Sequence, residues 1–367
     1  MLAAIESARE SIRFEVYIYR VSPIGEQFRA ALVRACERKV HVQVMLDALG
    51  SITLPEKFWD PFIEAGGQFR WFNPLKLKRL GFRDHRKMLV VDDKIGFVGG
   101  FNIAPEYQGD GLTKGWHDAG LRVPQSFACE LGQSFDRLFS QADYRHRRLA
   151  RYRRSDIAKI CHTPTGDLVT NAPGRGRHFL NVSLVNDVNR ARNVDVISAY
   201  FLPPRQLRRA LIRASRHGRR TRLILAGKSD VLLSQLAARH LYKRLLSSGV
   251  QIYEYQPQIL HTKLFIFDDI VYAGSANMDK RSLLVNYELL VRVRDEELAE
   301  EARDFFERTL GNSEKIELEH WRASRNVWSR LKEQWAYFLL SRVDPYLTRL
   351  QLEVFYRERD SAAPLGS

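Results

Sequence analysis

His85-Arg86-Lys87 is followed by Asp92, and His261-Thr262-Lys263 is followed at the same spacing by Asp268. The pattern H-x-K-x4-D is thus written twice, nearly half the chain apart. The first copy runs on through Gly99, Gly100 and Asn102, the second through Gly274, Ser275 and Asn277. A single copy would most simply be a solvated histidine beside a lysine. Two copies, each with a matched downstream asparagine, point to chemistry. Each half offers an imidazole, an ammonium and a carboxamide, a set that suits a phosphodiester. One neutral imidazole can attack phosphorus and form a phosphohistidine, which splits one hard displacement into two easier ones. The other can protonate the leaving alkoxide and then deprotonate the acceptor hydroxyl. Lys87 and Lys263 would neutralise the non-bridging oxygens, and Asn102 and Asn277 would donate hydrogen bonds to them.

The histidines need orienting partners. Asp118, in Trp116-His117-Asp118, follows the first copy, and Glu288, in Asn286-Tyr287-Glu288, follows the second. Each carboxylate is expected to hold the Nδ1–H of the histidine in its own half and raise its basicity. Asp92 and Asp268 count with the histidines and lysines as the motif's catalytic set, although their place at strand ends also suits turns and backbone amides. The scheme calls for no cofactor and no metal. Asp92-Asp93 and Asp268-Asp269 have no further histidine or carboxylate at metal-ligand spacing.

Both motif strands, Met88-Leu89-Val90-Val91 and Leu264-Phe265-Ile266-Phe267, are apolar on both faces and should be central in a sheet. A second internal match supports duplication: Arg29-Ala30-Ala31-Leu32-Val33-Arg34-Ala35 resembles Arg208-Arg209-Ala210-Leu211-Ile212-Arg213-Ala214. Phe28, Ala31, Leu32 and Ala35 share a helical face, as do Leu207, Ala210, Leu211 and Ala214. Each half reads strand (12–19; 194–201), helix, strand, helix, then the motif strand. The expected class is α/β: two pseudo-twofold-related halves, each a mixed, mostly parallel sheet flanked by helices, with the site at their interface. The expected divisions are 1–150, 151–310 and a C-terminal amphipathic helical extension over 311–367. The chain opens directly into helix at Met1 to Ile5, so a first strand is expected to be lacking from the N-terminal half.

A net charge of +15 over 367 residues attracts polyanions, either nucleic acid or an anionic membrane face. The three cysteines, Cys36, Cys129 and Cys161, have neither metal-ligand spacing nor a disulfide framework. No uncharged apolar run approaches the roughly 18 residues a spanning helix needs. The arginine-rich stretch from Arg145 to Arg154 reads equally as a solvated face or a phosphate-binding surface. Pro173-Gly174-Arg175-Gly176 looks like a loop opening the second half. Trp328, Leu331, Trp335, Phe338 and Leu339 form an apolar stripe. Such a stripe more often faces a core, the alternative being a membrane interface.

With these motifs the chain resembles the phospholipase D superfamily, over roughly residues 5–310. Within it the chain is most similar to bacterial cardiolipin synthases of the class without N-terminal transmembrane helices. Supporting segments are Glu15-Val16-Tyr17-Ile18-Tyr19, Leu46-Asp47-Ala48-Leu49-Gly50-Ser51, Arg83-Asp84, Ala199-Tyr200-Phe201-Leu202-Pro203 and Gly274-Ser275-Ala276-Asn277-Met278-Asp279-Lys280-Arg281-Ser282. The resemblance implies a phosphatidyltransferase. His85 would take up the phosphatidyl group and His261 would activate phosphatidylglycerol, forming cardiolipin. The donor would be a second phosphatidylglycerol or phosphatidylethanolamine. It also implies anionic phospholipids as partners and peripheral attachment, most simply at the cytoplasmic face of the inner membrane. Leu75-Lys76-Leu77-Lys78-Arg79-Leu80 and the Trp328 stripe are the candidate attachment points. Departures from the family pattern are Lys39, where glycine is usual, and Thr262, where a smaller residue is common. The rival readings are a nuclease of the same superfamily, for which nucleic acid would be the partner, and a non-catalytic binding descendant. The intact motifs weigh against the latter. The oligomeric state is left open by the sequence.

Overall fold

The computed structural model describes residues 1–74, 81–142, 158–173 and 178–344. The stretches Leu75–Leu80, Arg145–Arg154 and Gly174–Gly176 named above lie outside the described residues, as does the chain beyond Asp344.

Strand β1 (Ser11–Val16) leads to a helix at Pro23–Glu37. Ser22 caps this helix by accepting from the Gly25 amide, and proline occupies the first turn, where no amide is needed. Its buried face is Phe28, Ala31, Leu32, Ala35 and Cys36. Lys39, which follows it, takes φ +70, the conformation that favours the glycine usual there. Strand β2 (His41–Asp47) pairs parallel with β1, and β3 (Gln68–Phe72) parallel with β2. The chain then crosses to the other side of β1. There β4 (Met88–Val91), β5 (Ile95–Gly99) and β6 (Gly120–Val123) follow antiparallel, giving the order β3-β2-β1-β4-β5-β6.

The second half opens with a hairpin of β7 (Ile160–Thr163) and β8 (Gly166–Asn171). It continues through β9 (Asn193–Ser198), the short β10 (Phe201–Leu202), β11 (Arg220–Ala226) and β12 (Gln251–Tyr255). Then come β13 (Lys263–Phe267), β14 (Ile270–Gly274), β15 (Met278–Asp279), β16 (Glu288–Arg294) and β17 (Ser313–Lys315). Their sheet is ordered β17-β12-β11-β9-β13-β14-β16-β8-β7, with β10 and β15 paired apart. Its core, β12-β11-β9-β13-β14-β16, repeats the order of the first sheet strand for strand. Among the described residues the first sheet stops at β6, where the second carries on into β8 and β7.

The motif strands β4 and β13 are fully buried and central, as their two apolar faces require. The α/β class and the two halves hold, but the sheets are not mostly parallel. Antiparallel pairings outnumber parallel ones in both. The reason lies at the end of each motif strand. Asp92 and Asp93 both take positive φ (54° and 52°), the geometry of a tight hairpin turn. So short a turn returns the chain antiparallel, whereas a parallel partner needs a long crossover.

The halves share a core. Met45, Phe72 and Met88 of the first sheet pack in one cluster with Leu168, Leu289 and Val291 of the second, together with Phe127, Leu131 and Phe135 from the helix Gln125–Phe139. Two isolated parallel bridges, Asp84 with Tyr287 and His117 with Leu260, cross the seam.

Beyond β17, a helix at Val327–Phe338 lies along the helix Leu232–Leu246. The core-facing reading of its stripe is overturned: Trp328 is 73% exposed, Trp335 62%, Phe338 50% and Leu331 42%. The inward face is instead Glu333 and Ala336, with Tyr337 and Leu340 packed on the core. Alanine lets the two helices approach, and Glu333 is admitted because Arg325 pairs with it.

Candidate active site

His85 lies just before β4. Its amide donates to the Tyr287 carbonyl at 3.0 Å, and the Tyr287 amide returns a bond to Arg83 at 3.0 Å. The residue after Tyr287 is Glu288, whose Oε1 stands 3.1 Å from His85 Nδ1. The other half repeats this construction. The His261 amide donates to the His117 carbonyl at 2.8 Å, the His117 amide to Ile259 at 2.9 Å, and Asp118 Oδ2 stands 2.7 Å from His261 Nδ1. The pairing is therefore crossed: Asp118 serves the histidine of the second half and Glu288 that of the first. This corrects the within-half pairing. Each carboxylate directly follows the residue that bridges the seam, so it reaches the histidine opposite.

The carboxylates are held in turn. Ser275 Oγ donates to Glu288 Oε2, and the Ala119 amide donates to Asp118 Oδ1 at 2.8 Å. Gly100 occupies the place of Ser275 in the first copy. A Cβ there would lie 2.4 Å from Asp118 Oδ1, so only glycine admits that carboxylate.

Lys87 and Lys263 are buried, and each turns its ammonium back onto the carbonyl of its own motif histidine, Lys87 at 2.7 Å. Lys263 Nζ also stands 2.9 Å from His261 Nδ1. Each lysine is felt by both histidines, so the two copies form one electrostatic cluster. Burial, followed by the two lysines, holds His85 well below its ordinary pKa. Burial and then Lys263 bring His261 down to about 4 against the pull of Asp118. Desolvation lowers Lys87 to about 7 and Lys263 to about 8, and raises Glu288 to about 8. Both imidazoles are neutral at pH 7, the state a nucleophile or base requires. The two ammoniums are starved of solvation, and an incoming anion would restore it.

The asparagines are less alike than expected. Asn277 Oδ1 accepts from the Tyr200 amide at 3.4 Å, and its Nδ2 has no protein acceptor among the described residues. That nitrogen stays available to a phosphate oxygen. Asn102 Oδ1 accepts from the Ile18 amide at 2.9 Å, but its Nδ2 donates to the Tyr107 hydroxyl at 2.7 Å. Asn102 thus positions a tyrosine. The Tyr107 hydroxyl in turn stands 3.5 Å from His261 Nε2, with Trp116 tilted against the same ring. Tyr17 leans on His85 with centroids 4.8 Å apart, under Lys87.

Asp92 and Asp268 are not among the reacting groups. They sit at the far ends of β4 and β13 from the histidines. Asp92 accepts from the amides of Arg9 (3.0 Å), Glu10 (2.8 Å) and Ser11 (2.8 Å), and Asp268 from those of Arg192 and Asn193 (2.8 Å each). They pin the starts of β1 and β9 against the motif strands. Asp92→Ala should therefore cost about 3 kcal/mol of stability, from lost charge-assisted hydrogen bonds and a positive φ. Turnover per folded molecule should be kept, as thermal unfolding and an assay well below the midpoint would check.

Sequence reasoning missed the supporting ion pairs. Arg86 is wholly buried and paired with Glu15 at 2.6 and 2.7 Å, while Arg83 is forked onto Asp47, which also receives the Asp84 amide at 3.0 Å. Carboxylates inside the apolar strands β1 and β2 were the available signal. In the second copy Thr262 replaces Arg86. Its hydroxyl donates to the His117 carbonyl at 3.0 Å and lies 2.9 Å from His117 Nδ1, which steadies the residue before Asp118.

A family model described as cardiolipin synthase, phospholipase D-like domain, matches residues 1–138 and 184–310. The chain is 30% identical over 344 residues to the major cardiolipin synthase ClsA of Bacillus subtilis, covering 91% of this chain and 70% of that protein. It is 30% identical over 350 residues to cardiolipin synthase B of Salmonella typhi, covering 92% of this chain and 83% of that one. Among solved structures, the phosphatidylserine synthase of Haemophilus influenzae superposes with a TM-score of 0.71 over 95% of this chain and 91% of its own. At 13% identity this is a likeness of fold alone. On the family model and these relatives, the chain belongs to the cardiolipin synthase family of phospholipase D-like enzymes.

Proposed function

We propose that this protein forms cardiolipin by transferring a phosphatidyl group to phosphatidylglycerol through a phosphohistidine. The donor is a second phosphatidylglycerol or a phosphatidylethanolamine. The observation that carries this reading is the crossed construction: two histidines, each set against a carboxyl group from the opposite half, beside two buried lysines. With Nδ1 turned to Glu288, His85 directs Nε2 at phosphorus. As the N–P bond forms, the P–O bond to the headgroup breaks, and the leaving oxygen takes a proton from His261. His261 then removes the proton from the acceptor's primary hydroxyl. The new O–P bond forms, the N–P bond breaks and His85 is restored. Lys87, Lys263 and Asn277 face the non-bridging oxygens. The phosphodiester's own charge raises the His261 pKa once bound, which favours the protonated ring that the first step uses.

Among the described residues no helix is long and apolar enough to cross a membrane. We place the protein peripherally, on the cytoplasmic face of the inner membrane, with anionic phospholipids as its partners.

Purified protein with phosphatidylglycerol vesicles, with and without phosphatidylethanolamine and in the presence of EDTA, should yield cardiolipin by mass spectrometry. The lysines supply the charge, so chelation should not matter. Phosphatidic acid alone would mean a hydrolase. Neither product would refute the lipid reading and turn the search to nucleic acid substrates.

The lysines also predict a pH limb. Free-enzyme groups govern kcat/KM. Since burial lowers Lys87 to about 7 and Lys263 to about 8, while Glu288 gains its charge near 8, kcat/KM should fall as pH rises beyond that window, where the ammoniums have lost their protons and Glu288 has no further charge to gain. A profile flat to pH 10 would show that neither charge is needed.

A further inference from the structure

The helix Val327–Phe338 turns its apolar stripe to solvent, and the stripe's direction is fixed from behind. Glu333 is buried in its pair with Arg325. Tyr337 accepts from Arg208 at 3.1 Å and stacks on His240 with centroids 4.5 Å apart. Trp328, Leu331, Trp335 and Phe338 recur at helical spacing on the opposite side. The unpaired charge beside the stripe is basic. Arg330, Lys332 and Arg342 are exposed with no ion pair among the described residues, whereas Arg322 pairs with Glu319 at 3.3 Å, Arg325 with the buried Glu333 and Asp344 with Arg281 at 2.6 Å. An exposed face with two tryptophans, a phenylalanine and no free carboxylate matches the interface of an anionic bilayer. There the rings enter the acyl boundary while arginine and lysine reach the headgroups.

The helix is also strapped to the wall of the active site. Just past its end, the Ser341 carbonyl accepts from Lys280 Nζ at 2.8 Å, and Asp344 accepts from Arg281 at 2.6 Å. The same Arg281 donates to the Gly81 carbonyl at 3.0 Å, shortly before His85. Two further exposed apolar side chains, Ile52 and Leu232, stand in the segments after the C-terminal ends of β2 and β11. That end of both sheets carries the histidines.

We propose that the Val327–Phe338 helix is an interfacial anchor that lies on an anionic phospholipid bilayer and holds the active-site mouth at the surface its lipid substrates leave. This deepens the phospholipid reading above, but binding can be measured without turnover, so the two can fail separately. The test uses the full chain and its Trp328→Ser/Trp335→Ser double variant, with thermal unfolding to confirm that the fold is kept. Flotation with phosphatidylcholine vesicles, with and without phosphatidylglycerol, should show the variant binding the anionic vesicles about tenfold or more weakly. A Trp328→Leu/Trp335→Leu variant should recover much of the loss. Brominated acyl chains should quench wild-type tryptophan fluorescence. Turnover of dispersed short-chain phosphatidylglycerol should be unchanged in the Ser variant while turnover of vesicles falls. Equal flotation of wild type and Ser variant would overturn the proposal. So would a wild type whose size in solution is dimeric while the variant's is monomeric, because the stripe would then be covered by a second copy of the chain.

Discussion

His85→Ala and His261→Ala should each lower cardiolipin formation by about 10^4-fold or more, yet fail at different steps. A phosphatidyl ester of p-nitrophenol separates the two. Its leaving group departs without a proton, so the first step needs only the nucleophile. With His261→Ala the ester should release one equivalent of nitrophenol in a burst and stop, the phosphatidyl group trapped on His85. With His85→Ala no burst should appear. The asymmetry of the site supports this direction. The His85 side chain is 15% exposed and that of His261 4%, and the Tyr107 hydroxyl already stands 3.5 Å from His261 Nε2. A burst from His85→Ala and none from His261→Ala would reverse the roles.

The parts of this site that were legible in the sequence are those set by local pattern. The paired motifs named both histidines and both lysines. Two apolar faces placed β4 and β13 at the centres of their sheets, and the repeat at Arg29 and Arg208 marked equivalent helices. What was not legible depends on direction. A stripe at helical spacing says that Trp328 and Trp335 share a face, but not whether that face looks inward. The packing of Ala336 and the Arg325–Glu333 pair decides it. Asn102 and Asn277 occupy matched positions, yet only Asn102 meets a tyrosine, because Tyr107 has Ser282 as its counterpart in the second copy. The strongest constraint was also the least visible. Asp118 and Glu288 were identifiable as orienting carboxylates, but which histidine each serves depends on bridges across the seam that no local spacing encodes.

That crossing carries the second large effect. Glu288→Gln and Asp118→Asn should each slow turnover by roughly 10^2- to 10^4-fold, since an amide stabilises neither the required tautomer nor the imidazolium that forms. The two differ in which step they slow. Burial raises Glu288 to about 8, so near neutral pH it largely keeps its proton, and its charge is called on only as attack on phosphorus makes the His85 ring cationic. Glu288 should therefore act on formation of the phosphohistidine, and Asp118 on the acid and base work of His261. With the nitrophenyl ester, Glu288→Gln placed in the His261→Ala background should slow the burst, whereas Asp118→Asn in that background should leave it unchanged. Pairing within each half predicts the opposite, with Asp118 controlling the burst. Each histidine draws its carboxylate from across the seam, so neither half holds a motif histidine together with the carboxylate set against it. Duplication here has produced one site from two halves, not two sites.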